Sequence, residues 1–292
     1  MHINLSEHKA HIFNVSKIDI SKKSIIFIPG AGMDHRTISM LNLSNLEDFY
    51  NIISVDLPGH GFTTGPLLKS IESYSLFCDE LIEKLKLNDL TFIGHSMGGL
   101  VVLDLLTKHK GSSGILMNTA YPLIVGEQLL DHAKGNLDQA CEFLTKYGIY
   151  NLPQYKIKTL GFGSMGSGSY RKSKGVIQSP YGTKYIIDDP EREIKLYPLK
   201  RLFNQSQKEI LSIDLKACSS FKMKEKLIDG LNNIKLIYGD KDKLARFNPD
   251  NELLNNLDIT SDVIILDETG HFPFFERPEL TASTLNKLLL DC

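Results

Sequence analysis

Apolar residues along this chain gather in short, dense runs, separated by longer stretches in which they recur every third or fourth position. The runs are Ile25-Ile26-Phe27-Ile28, Asn51-Ile52-Ile53-Ser54-Val55, Leu90-Thr91-Phe92-Ile93, Gly114-Ile115-Leu116-Met117, Ile234-Lys235-Leu236-Ile237-Tyr238 and Val263-Ile264-Ile265-Leu266. Runs this short, continuous rather than alternating, predict strands covered on both faces. Residues 11–28 read as two strands joined by the polar turn Ser21-Lys22-Lys23-Ser24. Over residues 70–87, Ile71, Tyr74, Phe77, Leu81 and Leu85 fall on one stripe of a helix. Leu100–Leu106 is long and apolar enough to be a buried helix, and a last helix turns Leu285, Leu288 and Leu289 inward.

Strands alternating with helices predict an α/β fold, a mostly parallel sheet flanked by helices. The alternation stops between about residues 121 and 224, where the sequence is helical, polar and loop-rich. That stretch contains the glycine/serine run Gly161–Ser169, a composition that predicts a mobile loop. The expected organisation is a core built from residues 1–120 and 225–292, with a largely helical lid insertion over 121–224.

Composition narrows the function classes. Apolar (42%) and charged (23%) fractions are those of an ordinary globular protein, and a net charge of -2 gives no electrostatic reason to bind nucleic acid or an anionic membrane. Cys78, Cys141, Cys218 and Cys292 are scattered without metal-binding spacing, which predicts free thiols in a reducing compartment. The first residues lack the apolar core of a secretory signal, and no stretch approaches a membrane span. A cytoplasmic protein acting on a small-molecule substrate is expected. The glycine run follows no convincing strand and has no Gly-Lys-Ser/Thr beside it, so no nucleotide is implied; nothing calls for a metal or another cofactor either.

The chemistry is carried by Gly94-His95-Ser96-Met97-Gly98-Gly99, set between a predicted strand and a predicted helix. A serine on so sharp a turn needs small neighbours, and Gly94 and Gly98 supply them; the pattern is a nucleophile elbow. A serine hydroxyl attacks near neutral pH only if a base takes its proton, so a histidine and an orienting carboxylate are required. Of nine histidines, His271 lies on a loop after a strand, in Gly270-His271-Phe272-Pro273-Phe274, and is the candidate base. His60 lies in a glycine turn, His35 in the loop after a strand, and His2, His8 and His11 near a polar terminus. His95 points away from Ser96 and is expected to pack beside the elbow. For the carboxylate, Asp240 and Asp242 compete after Ile234–Tyr238; Asp242, deeper in the loop, is preferred. The backbone N–H of Met97 and that of Ala31, in Pro29-Gly30-Ala31-Gly32-Met33, are the candidate oxyanion-hole donors.

These segments, with Asp56-Leu57-Pro58-Gly59-His60-Gly61 and Gly239-Asp240-Lys241-Asp242, resemble the α/β-hydrolase superfamily in type and order. The resemblance implies the α/β-hydrolase fold, with Ser96 as nucleophile, His271 as base and Asp242 as orienting acid. A serine at the elbow points to the serine-nucleophile branch rather than to the branches with aspartate there. Pro29, where many members carry histidine, is a departure, as is Thr63 in place of a serine. The expected activity is hydrolysis of a small or medium carboxylic ester through an acyl-enzyme. Thioester, diketone carbon–carbon bond and peracid chemistry use the same triad, and a non-catalytic ligand-binding relative would keep the same pocket.

Overall fold

The computed structural model describes residues 1–14, 17–153, 175–178, 184–187, 190–204, 206–207, 209–223, 233–248, 251–256 and 262–290. Eight strands form the main sheet: β1 (His2–Asn4), β2 (Lys9–Asn14), β3 (Lys23–Ile28), β4 (Tyr50–Val55), β5 (Leu90–His95), β6 (Ser113–Met117), and, after a long excursion, β9 (Ile234–Gly239) and β10 (Val263–Leu266). Their spatial order is β1-β2-β4-β3-β5-β6-β9-β10. β1 and β2 join antiparallel, and every pairing from β4 to β10 is parallel. The alternation pattern therefore predicts the strands closely. The exception is β1, an edge strand inside what the sequence presents as a polar terminus.

Side chains of a strand point alternately to opposite faces, and here both faces are covered. In β3, Ile26 and Ile28 join one apolar cluster while Ile25 and Phe27 join the other. Helix α1 (Ile71–Leu85) places Ile71, Tyr74, Phe77, Cys78 and Leu81 in the first cluster. Helix α2 (Met97–Lys108) lies beside it and is buried from Met97 through Leu106, which explains its near-continuous apolar sequence. The second cluster receives Leu285 and Leu289 of the last helix, with Leu288 partly buried against it. Leu285 and Leu289, both buried, each contribute about 1.5–3 kcal/mol by leaving water.

Between β6 and β9 none of the described residues adds a strand to the main sheet. The chain forms α3 (Glu127–Gly135), α4 (Leu137–Gly148), the antiparallel pair β7 (Gly175–Gln178) and β8 (Lys184–Ile187), then α5 (Pro190–Asn204) and α6 (Ile210–Ser220). The described residues of the insertion are mainly helical. The small second sheet is not predicted, although Val176, Ile177, Ile186 and Ile187 are β-branched and favour strands. The run Gly161–Ser169 lies outside the described residues. Two short helices, α7 (Pro273–Glu276) and α8 (Pro278–Leu290), follow β10. None of the helices among the described residues is long and apolar enough to cross a membrane.

Register decides where the loops meet. Ile28 pairs with Gly94, Gly94 with Leu116, and Leu116 with Leu236, which in turn pairs with Val263. The parallel strands thus end on one edge of the sheet, and the loops after β3, β5, β9 and β10 open side by side, where sheets of this kind place their sites.

Candidate active site

Ser96 sits between β5 and α2 with φ 51° and ψ -117°, a conformation that side-chain-bearing residues rarely adopt. The turn is possible because its neighbours have no side chains. A Cβ on Gly98 would lie 2.0 Å from the Ile28 carbonyl oxygen, and one on Gly94 would lie 2.4 Å from the Gly98 carbonyl oxygen. The Ser96 amide is held by the Met117 carbonyl at 2.9 Å, which fixes the elbow to the neighbouring strand. Its hydroxyl has no hydrogen-bond partner among the described residues.

Across from it, His271 Nδ1 lies 2.8 Å from Asp242 Oδ2. A carboxylate can only accept, so Nδ1 carries the proton and donates it, leaving the Nε2 lone pair free. Asp242 also accepts from the amides of Leu244 (2.8 Å) and Ala245 (3.0 Å) at one oxygen, and from Asn118 Nδ2 (2.8 Å) at the other. Burial alone would raise the Asp242 pKa, but the His271 ring and these donors outweigh it and hold the carboxyl below its ordinary range. Asp240, by contrast, is exposed, pairing with Lys241 Nζ at 2.6 Å and with the Thr269 amide at 3.1 Å. Of the two competing aspartates, Asp242 is the one bonded to the histidine.

Ser96 and His271 line one small cavity of about 40 Å³, together with Gly30, Ala31, Met33, His95, Leu144, Phe203, Leu211, Leu215 and Phe272. The wall opposite the sheet comes from the insertion: Leu144 from α4, Phe203 from α5, Leu211 and Leu215 from α6. The amides of Ala31 and Met97 donate to no protein acceptor among the described residues. The hydrogen bond between Ser96 and His271 is not closed here, as is common before substrate binds.

Several supporting groups are invisible in the local sequence pattern. His95 is fully buried and its Nε2 donates to the His271 carbonyl at 2.8 Å, tying the elbow to the histidine loop. Burial and the neighbouring His271 ring push the His95 pKa down to about 3. Between that value and 6.5, where an unfolded histidine titrates, only the unfolded chain takes up this proton, so acid favours unfolding. At pH 5 the loss from this residue is about 2 kcal/mol. Urea unfolding at pH 7 and pH 5 is expected to show that loss in the wild type and to show it removed in His95→Asn. An equal loss in both proteins would contradict it.

Glu276 of α7 accepts from the amides of Tyr150 (2.8 Å), Asn151 (3.0 Å), Gly270 (3.1 Å) and Phe272 (3.2 Å). The His271 amide in turn donates to the Gly148 carbonyl at 2.6 Å. The histidine loop is thus strapped to the end of α4.

Asp56 forms another buried cluster. Its carboxylate accepts from His35 Nδ1 (2.8 and 2.9 Å), His11 Nδ1 (2.7 Å) and the amides of His35 (2.8 Å) and Phe62 (2.9 Å). The ligand atoms of His11, His35 and Asp56 lie within 4.8 Å of one another, close enough to hold a cation. Direct hydrogen bonds already use both carboxylate oxygens and both Nδ1 atoms, so the arrangement reads as a clamp on the Asp56–Gly61 loop. Burial would raise Asp56, but the His35 ring and the amide donors hold it below its ordinary value.

With this geometry established, comparison with known proteins identifies the chain. The model of the alpha/beta hydrolase family matches residues 25–284, and the chain belongs to that family. It is 30% identical over 109 residues to phospholipase YtpA of Bacillus subtilis, a match covering 35% of this chain and 42% of that protein. A further match, 31% identical over 105 residues, is to a protein of Mycoplasma genitalium assigned as an esterase/lipase, and covers 34% of this chain and 39% of the other. The chain thus spans about two fifths of the length of the curated relatives it matches. Among solved structures it is similar to an enol-lactonase from Burkholderia xenovorans LB400, at a TM-score of 0.73 and 17% identity, over 99% of this chain and 100% of that one. An esterase from Exiguobacterium antarcticum gives a TM-score of 0.70 at 17% identity, over 99% and 98% of the two chains. At such identities the structural likeness speaks for the fold alone.

Proposed function

We propose that this protein hydrolyses a small or medium carboxylic ester through an acyl-enzyme, with Ser96 as nucleophile, His271 as general base and Asp242 as the group that orients His271. The single observation that carries the reading is the buried 2.8 Å bond from His271 Nδ1 to Asp242, on a ring that shares its cavity with a serine held at positive φ. With Nδ1 protonated, Nε2 is the atom able to take the Ser96 proton as the hydroxyl attacks the ester carbonyl. The negative charge that develops on the carbonyl oxygen is met by the amides of Met97 and Ala31. His271 then returns the proton to the departing alkoxide. A water molecule, deprotonated by the same Nε2, attacks the acyl-enzyme and releases the acid and Ser96.

Met97 is the first residue of α2, so its amide also carries the positive end of the helix dipole. The apolar side chains around the cavity, Met33, Leu144, Phe203, Leu211, Leu215 and Phe272, suit a short acyl chain and offer no charge to a polar one. In this reading residues 121–224 form the cover that shapes the acyl pocket, and residues 1–120 and 225–292 form the core. The relatives named as esterase/lipase and phospholipase agree with ester hydrolysis.

A fluorophosphonate probe tests the mechanism, because it phosphonylates only a serine activated by its base. Stoichiometric labelling mapped to Ser96, together with turnover of short-chain p-nitrophenyl esters exceeding that of thioesters and ring-fission diketones, is the expected result. An inert protein would support a ligand-binding relative instead.

A further inference from the structure

The insertion reaches the loop that carries Ala31 through one buried carboxylate. Ile210, Leu211 and Asp214 fall on the same face of α6, spaced three and four residues apart. That face packs against two glycines of the core. Ideal Cβ atoms built there would approach Ile210 Cδ1 to 2.3 Å at Gly59 and Leu211 Cδ1 to 3.2 Å at Gly32, so α6 lies directly on both loop backbones.

One turn along, Asp214 is fully buried. Its Oδ2 accepts from the Gly32 amide at 2.8 Å and from His60 Nε2 at 2.8 Å, and its Oδ1 accepts from the Tyr74 hydroxyl at 2.7 Å. His60 Nδ1 also faces an acceptor, the Pro58 carbonyl, at 3.3 Å. With an acceptor at each nitrogen, the charged ring is favoured in spite of its burial, and the His60 pKa is raised. On the other side of the same residue, Ser206 Oγ donates to the Gly32 carbonyl at 2.9 Å. Both the N–H and the C=O of Gly32 are therefore held by the insertion, immediately after Ala31.

We propose that Asp214 is a positioning residue for the oxyanion hole: with Ser206 it clamps Gly32 and so fixes the direction of the Ala31 amide. The proposal rests on the ester-hydrolase reading, and it makes the insertion part of the catalytic machinery as well as a cover. Asp214 is not among the residues that line the cavity. Its effect passes through the backbone, and an oxyanion donor turned away from its acceptor weakens stabilisation of the transition state while leaving ground-state binding nearly unchanged.

Asp214→Asn keeps one acceptor oxygen but removes the carboxylate charge that the Gly32 amide and the buried His60 ring share, and so loosens the hold on Gly32. Ser206→Ala removes the opposite clamp with little disturbance, and carries the test should Asp214→Asn fail to fold. With active sites counted by fluorophosphonate titration, kcat per labelled site is expected to fall at least tenfold in Asp214→Asn and several-fold in Ser206→Ala, with KM within about twofold. Affinity for a trifluoromethyl ketone, which forms a tetrahedral adduct needing the hole, should fall in parallel, while affinity for the product acid holds. A purely structural role would lower the melting temperature and leave kcat per labelled site, and the ketone affinity, at wild-type values; that result overturns the proposal alone. A wild type that neither labels at Ser96 nor turns over esters overturns the ester-hydrolase reading and this proposal together.

Discussion

Ser96→Ala is expected to leave a folded protein whose turnover of p-nitrophenyl acetate falls roughly 10⁴- to 10⁶-fold, the range found when a serine nucleophile is removed. Folding should survive because the hydroxyl has no hydrogen-bond partner among the described residues, and alanine bears the same single Cβ at φ 51°. The backbone bond from residue 96 to the Met117 carbonyl does not depend on the side chain. Circular dichroism and the melting temperature should match the wild type, and the fluorophosphonate should no longer label. Undiminished turnover by the alanine variant would remove Ser96 from the mechanism.

The second large effect is expected from Asp242→Asn, with Asp240→Asn as its control. Asp242 Oδ1 accepts from two backbone amides, and Oδ2 accepts from Asn118 and His271. An asparagine has one oxygen, and the two fixed amides of Leu244 and Ala245 claim it. Its NH2 group then faces His271 Nδ1, which must accept; the ring proton moves to Nε2, and the lone pair aimed at Ser96 is lost. A change of this kind at the orienting acid lowers kcat about 10⁴-fold in well-studied triads. Asp240→Asn touches an exposed pair with Lys241 and the backbone amides of Glu268 and Thr269, so kcat should stay within about threefold. Equal losses in the two variants would contradict the assignment of the acid to residue 242.

How much of this could be read without coordinates follows from the distance along the chain between partners. Gly94, Ser96 and Gly98 specify their own turn, so the elbow is written in five consecutive residues. The central strands announce themselves because each buries both faces, and α1 because its stripe has the helical period; β10, read from the same kind of run, leaves Ile265 exposed. His60 could not be read in this way. In sequence it sits in a glycine turn; in the fold it is bonded to Asp214, 154 residues away. His11 and Asp56 are 45 residues apart, and Glu276 reaches the Tyr150 amide from 126 residues away. His95 gave half its role, packing beside Ser96, while its bond to the His271 carbonyl spans 176 residues.

The sequence by itself determined the order of the parallel strands and of helices α1, α2 and α8, the sharp turn at Ser96 and the loops in which a base and an acid had to be sought. These are local properties: periodicity, continuous burial and the absence of side chains at Gly94 and Gly98 act over a few residues. The tertiary structure decided which aspartate reaches His271, which histidines are buried and with what partners, and how the insertion grips Gly32. Those outcomes depend on sheet register and on α6 lying against two loops of the core, and such contacts are made only when distant segments pack together.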